Sequence, residues 1–315
     1  MTKSLEKLGF ALFLGALLVG CGPKGTSNVA GTGASGEPVP PVAALFLVDT
    51  TYSPAECLAA FEGADDGNGW DCVNEKEVPE GGYPIAIPLG CYNPLTSEWS
   101  GQCELNDALL SLEGKPVTFE GSFPAVCGAS GDVKRSYGAT YAADDHSGYV
   151  ITQTYHDTLS LVPAARAELA PALLEAVKAD GVQRAVASQA ARDPENLGPP
   201  FDATLSNLTV DQIVGLDVDG DGVKDLLVSV SAPLEDDVYL AFSGLYLIVN
   251  GDPARLTLLM KSDLEKFTVL ALTDLDRNHR PEIVLASDYY EGSYIFLYRF
   301  AGTDLVQIAG WGCGA

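Results

Sequence analysis

Basic residues are scarce in this chain: 18 lysines and arginines stand against 43 aspartates and glutamates, a formal charge of −25. Nucleic-acid binding needs cations that neutralise phosphates, so the balance argues against that class of partner. It argues equally against docking on anionic lipid faces. Histidine is rarer still, with three in the chain. No HExxH or CxxC pattern occurs, which leaves zinc without a ligand set. The G-x-S-x-G elbow and the P-loop are missing too. GTGASG at 31–36 matches G-x-G-x-x-G in letters only, because no strand precedes it. Long hydrophobic runs are also lacking. The apolar run at 8–19 spans twelve residues, short of the roughly 20 that a membrane-spanning helix needs.

That short run has a different use. Lys3 and Lys7 precede it as a basic region, and it leads into Leu18-Val19-Gly20-Cys21. Those residues resemble the lipobox of bacterial lipoproteins. The resemblance implies a signal peptide at 1–20, cleavage before Cys21 and diacylglycerol on the Cys21 sulfur. Gly22 rather than aspartate follows, which in that family favours the outer membrane. Residues 21–41 are rich in Gly, Ser, Thr and Pro and cannot bury enough surface to fold. Such a lipid-anchored tether reaches roughly 25 Å r.m.s.. The acidic remainder suits a soluble body held off the membrane.

Six further cysteines follow Cys21, namely Cys57, Cys72, Cys91, Cys103, Cys127 and Cys313. An even number in an exported chain suggests disulfides, although six allow fifteen pairings. The expected set is Cys57–Cys72, Cys91–Cys103 and Cys127–Cys313. Each of the two short loops would contribute about 3 kcal/mol in the chain-entropy model. Five of the six lie in a β-patterned domain at 42–162, with strands expected at 43–48, 83–89, 116–119, 139–141 and 148–154. Ser53, Pro54 and Glu56 form a capping box that predicts a short helix at 54–61. Residues 163–200 form a helical connector. Pro163 and Pro171 suit first helical positions, and Leu169, Leu173 and Val177 recur at helical spacing. Gly181 predicts the stop, and DPENLGPP at 193–200 breaks the chain.

Residues 201–315 return to strands and repeat themselves. DVDGDGVKD at 217–225 places Asp217, Asp219, Asp221 and Asp225 at positions 1, 3, 5 and 9 of a tight loop, with Gly222 at the turn. Alternate oxygen donors suit a hard cation such as Ca²⁺, and the Val223 carbonyl would add the position-7 contact. An EF-hand would need Glu at position 12, where Val228 stands, and helical flanks, where the pattern is β. A second loop lies 57 residues on, with Asp274, Asp276, Asn278 and Glu282 as donors and the Arg280 carbonyl at position 7. His279 replaces the glycine, and Arg277 and Arg280 add positive charge, so weaker binding is expected there. For each loop the competing reading is an acidic turn without an ion. Expected strands flank both loops at 210–216, 226–230, 244–249 and 254–260, then 267–272, 283–286, 292–297 and 305–309. Gly244-x-Tyr246 and Gly292-x-Tyr294 recur in matching places. This region resembles FG-GAP/VCBS repeats, the calcium-loop blades of integrin α-type propellers. The resemblance implies β-blades, Ca²⁺ in inter-strand loops, and adhesion or ligand display. Two repeats are fewer than a closed propeller needs.

Other clusters are weaker. Asp144, Asp145 and His146 with His156 and Asp157 would make a metal or acid–base site only if the fold brings them together. Residues 65–71 (DDGNGWD) lack the 1, 3, 5, 9 spacing. Trp70, Trp99, Trp311 and the tyrosines suit a carbohydrate platform or a β-core equally. The expected fold is mainly β with a helical insert. It has two four-stranded propeller-type blade units at 201–315 and a disulfide-bearing β-rich N-terminal domain. The expected function is non-catalytic: a calcium-stabilised lipoprotein at the surface or in the periplasm. It would be anchored through Cys21 and serve as a binding or scaffolding module for a protein or glycan. The alternative is a hydrolase or carbohydrate-active enzyme with its site in 42–162.

Overall fold

The structure, a computed structural model, describes residues 40–49, 85–102, 104–124, 135–141, 148–162, 169–191, 208–233, 240–289 and 292–314. The leader, most of the tether, the 54–61 helix, the 65–71 turn, Asp144, Asp145, His146 and the 193–200 break lie outside these residues. So do Cys21, Cys57, Cys72, Cys103 and Cys127, and with them at least one partner of every expected cystine. Among the described residues no helix is long and apolar enough to cross a membrane.

The protein is mainly β, in antiparallel sheets. The first contains β1 (Ala43–Asp49), β2 (Ile85–Asn93), β3 (Glu98–Ser100), β4 (Leu109–Ser111), β5 (Pro116–Pro124), β6 (Arg135–Tyr141) and β7 (Gly148–Thr152). Their order is β1-β7-β4-β5-β6-β2-β3, and β1 also pairs with β2. Alternation along β1 explains its place. Ala44, Phe46 and Val48 face one core with Ala86, Cys91, Leu109 and Val150, whereas Ala43 and Leu45 face another. The strand expected at 148–154 ends at Thr152, where a 3-10 turn (Gln153–Thr158) takes over. Strands β3 and β4 are three residues each, too short for a period-2 signal.

A short β8 (Ser160–Leu161) precedes the helix α1 (Pro171–Ala191). Pro171 opens α1 as its fixed φ favours, and Leu173 and Val177 are buried on one face. Gly181 does not stop the helix, contrary to the sequence reading. A Cβ there would lie 3.0 Å from Leu208 Cδ2 and 3.5 Å from the Phe242 ring. The missing side chain serves close packing against a sheet, at about 1 kcal/mol of helix propensity.

That sheet is β12-β11-β10-β9, from β9 (Thr209–Leu216), β10 (Asp225–Pro233), β11 (Leu240–Ile248) and β12 (Leu256–Ser262). All nine residues of β11 are buried, because α1 covers one face and another sheet covers the other. The third sheet holds β13 (Lys266–Thr273), β14 (Glu282–Tyr289), β15 (Gly292–Ala301) and β16 (Asp304–Gly314). It gains a fifth strand, because β8 pairs at its edge with Ala271 and Leu272. The second C-terminal unit is thus five-stranded rather than four-stranded.

Three cores glue four layers. Leu173, Val177 and Ala185 of α1 meet Val228, Phe242 and Tyr246. Leu227, Leu245 and Leu247 meet Phe267, Ile283, Leu285 and Tyr298 across the two C-terminal sheets. Val284 and Leu297 on the far face of the third sheet meet Leu45, Leu89, Tyr149 and Ile151 of the first. The layer order is α1, second sheet, third sheet, first sheet. A bulge between Val269 and Ala271 switches β13 from the second core to the third. The Gln212 side chain seals it, donating to the Val269 carbonyl at 2.9 Å and accepting its N–H at 2.8 Å.

Candidate metal centres

The two acidic loops are the turns β9–β10 and β13–β14. In each, the second residue is a fully buried apolar anchor, Val218 or Leu275, worth about 1.5–3 kcal/mol when fully buried. Pinning the chain there forces positions 1 and 3 to wrap around the turn. Most hydrogen bonds of the two networks then correspond, although the position-1 carboxylate also accepts from position 4 in the first loop (Gly220) and from position 5 in the second (Asn278). The position-9 carboxylate accepts the position-2 N–H at 2.9 Å (Asp225 from Val218) and 2.8 Å (Glu282 from Leu275). The position-1 carboxylate accepts the position-6 N–H at 2.8 Å (Asp217 from Gly222) and 3.1 Å (Asp274 from His279). The position-5 side chain accepts the position-7 N–H at 2.7 Å in both (Asp221 from Val223, Asn278 from Arg280). Positions 4 and 6 are left-handed in both: φ is 79° and 81° at Gly220 and Gly222, and 54° and 66° at Arg277 and His279. His279 therefore adopts the strained conformation that glycine would take more cheaply.

These constraints gather oxygens. One carboxylate oxygen from each of Asp217, Asp219 and Asp225 lies within 4.8 Å of the others, and the same holds for Asp274, Asp276 and Glu282. Asp221 stands apart from its trio. One of its oxygens accepts from Val223, and the other accepts from the Asn250 side chain at 3.3 Å. The position-9 residues are the most deeply buried of the set: Asp225 is 0% exposed and Glu282 2%. Burial, with the Asp276 and Asp274 charges adding to it, pushes Glu282 up to about 8 against the donation from Leu275. Burial also raises Asp276. Asp217 is held low instead, first by the Gly222 N–H and then by Gly220. An all-oxygen set of converging carboxylates at positions 1, 3 and 9 fits a hard cation such as Ca²⁺.

Sequence reasoning missed several supporting residues. Asn250 donates its N–H to Asp225 at 2.7 Å from a left-handed backbone (φ 54°). Its only sequence signal is Asn-Gly at 250–251, a turn dipeptide. Arg255 lies 4.0 Å from Asp219. Arg280, expected only as a carbonyl donor, extends its guanidinium to the Asp219 carbonyl at 2.7 Å.

No known family model, curated protein or solved structure matches this chain.

The remaining candidates resolve into structural roles where they are described. The His156 ring nitrogen lies 2.9 and 3.1 Å from the Ser111 and Leu112 carbonyls and fastens the 3-10 turn to the β4 hairpin. Asp157 faces Arg277 at 3.4 Å. Trp99 packs on Tyr92 at 5.0 Å between ring centroids, and Trp311 is buried. Neither indole forms an exposed platform.

Proposed function

We propose that residues 201–315 form two calcium-stabilised blade units of the FG-GAP/VCBS type within a non-catalytic, exported lipoprotein. The observation that carries this reading is the duplicated loop: carboxylates at positions 1, 3 and 9, left-handed backbone at positions 4 and 6, and most of the same hydrogen bonds recur 57 residues apart. Two turns built alike around three converging carboxylates share a common demand, and a divalent cation meets it. Each ion would fix the mouth of a β-hairpin whose strands line the cores between layers. Calcium is then structural, holding blade against blade.

The rest of the reading follows from the leader. A lipid on Cys21 anchors the chain to the outer membrane, and the 21–41 tether lets the layered body reach a protein or glycan partner. No catalytic constellation is assigned, and the module binds or scaffolds. Thermal melting of the full chain tests the core of this proposal. EDTA should lower the melting temperature by roughly 5–10 °C and millimolar Ca²⁺ should restore it, since a ligand at 100 times its Kd adds about 2.7 kcal/mol. Superimposable curves with EDTA and with Ca²⁺ would remove calcium from the account.

A further inference from the structure

The second loop departs from the first at positions 4 and 7, where Arg277 and Arg280 replace Gly220 and Val223. By sequence alone these arginines look like defects, because they put positive charge beside a cation site. In the structure both guanidinium groups extend to neighbouring layers. Arg280 reaches the first loop and donates to the Asp219 carbonyl at 2.7 Å. Its Nε lies 3.6 Å from where a Cβ on Gly220 would stand, so the side chain packs along the first loop at van der Waals distance. Arg277 reaches the first sheet's 3-10 turn. It donates to the Thr154 carbonyl, faces Asp157 and lies 4.8 Å over the Tyr155 ring. An exposed pair with Asp157 would contribute little alone, but the carbonyl bond and the ring of the buried Tyr155 make a three-point contact.

We propose that the second loop is a clasp whose cation occupancy is transmitted through Arg280 to the first loop and through Arg277 to the first sheet. This rests on the proposed cation binding at both loops. The positions explain the mechanism. In the second loop the carboxylates at positions 1, 3 and 9 converge, while the side chains at positions 4 and 7 turn outward to neighbouring layers. A cation that fixes residues 274–282 therefore fixes the base of both arginines. Arg280 then holds the backbone of Asp219, a donor residue of the first site, in its binding conformation. By linkage the effect is reciprocal: filling the first loop strengthens the second by the same factor. The clasp gives a two-repeat unit the cooperativity that a closed ring would otherwise supply.

Calorimetric Ca²⁺ titration of the full chain tests the coupling, using Glu282→Gln, Arg280→Met and the double variant. Glu282→Gln should abolish the second site and weaken the first about tenfold. In the Arg280→Met background the same substitution should leave the affinity of the first site unchanged. Hydrogen exchange gives a second readout: Ca²⁺ should slow the amides of 153–158 in the native chain and not in Arg277→Met. If Glu282→Gln proves unfolded by circular dichroism, Asp276→Asn serves the same purpose. Loss of the second site with the first unchanged overturns the clasp while leaving the calcium sites standing. Failure of the native chain to bind Ca²⁺ at all overturns both together.

Discussion

At the scale of single residues, the acids of the first loop differ in burial and in how much backbone they hold. Asp225 is the most deeply buried. Its two oxygens accept the Val218 and Asn250 N–H groups at 2.9 and 2.7 Å inside a fully buried site. Asp225→Ala would orphan both donors, so it should cost roughly 2–5 kcal/mol even with EDTA present. Asp221 is exposed and bonds the N–H two residues ahead of it. Asp221→Ala should leave the EDTA melting temperature nearly unchanged, because the hydrogen bonds it accepts are exposed. Chemical denaturation in EDTA separates the two: equal losses would mean that this division is wrong. His279 gives the opposite sign. Its φ of 66° is expensive for a residue with a Cβ, by about 1–2 kcal/mol. Glycine there also raises the entropy of the unfolded chain. His279→Gly should therefore stabilise by a net 0.5–1 kcal/mol or so. Its Ca²⁺ titration should show a tighter second site.

At the scale of elements, the helix α1 depends on a glycine that looks like a terminator. Gly181 approaches Leu208 and Phe242 closely enough that a Cβ would require small shifts. Gly181→Ala trades that crowding against better helix propensity and should be near neutral. Gly181→Leu cannot be absorbed and should cost about 1–3 kcal/mol. A neutral Gly181→Leu, measured by denaturant midpoint, would mean that α1 does not press on the second sheet. The misreading is instructive, because a glycine at C′ and a glycine at a close contact leave the same mark in one sequence. The two acidic turns and their repeat were legible because alternate carboxylates and a fixed period are local signals. The C-terminal strands were legible for the same reason, their apolar runs being long and punctuated by Gly and Asp. Gln212 and Asn250 were not, because they act on partners 57 and 25 residues away. Nor was the stacking of layers: alternation shows that a face is covered but not what covers it. Strand β8 illustrates this, since its two residues join a sheet more than a hundred residues downstream.

At the scale of the whole molecule, each interface between layers buries a tyrosine. Tyr246 lies between α1 and the second sheet, Tyr298 between the second and third, and Tyr149 between the third and first. Burial pushes Tyr298 and Tyr149 up to about 12. Tyr246 is raised further, by burial and then by its 2.8 Å bond to Asp180. The sign of the pH dependence follows. The unfolded chain releases phenolic protons near pH 10, whereas the folded chain retains them. Stability is thus fully present below pH 10 and is lost as pH climbs towards 12. Each retained proton contributes up to about 1.4 kcal/mol per pH unit, so three in concert reach about 8 kcal/mol over two units, on the scale of the roughly 5–15 kcal/mol that an ordinary domain holds in reserve. Separation of the layers should therefore be cooperative and should coincide with the rise of phenolate absorbance. Tyr149→Phe should move the alkaline midpoint upward with little change at pH 7, because its hydroxyl is silent there. Tyr246→Phe should differ, losing about 1 kcal/mol at neutral pH with the Asp180 bond while also shifting the alkaline limb. If the alkaline midpoint of the Tyr149, Tyr246 and Tyr298 triple Phe variant equals that of the native chain, the layers are not held by protonated phenols. The self-repulsion of a chain at −25 would then be the force that drives them apart, and added salt would raise the midpoint instead.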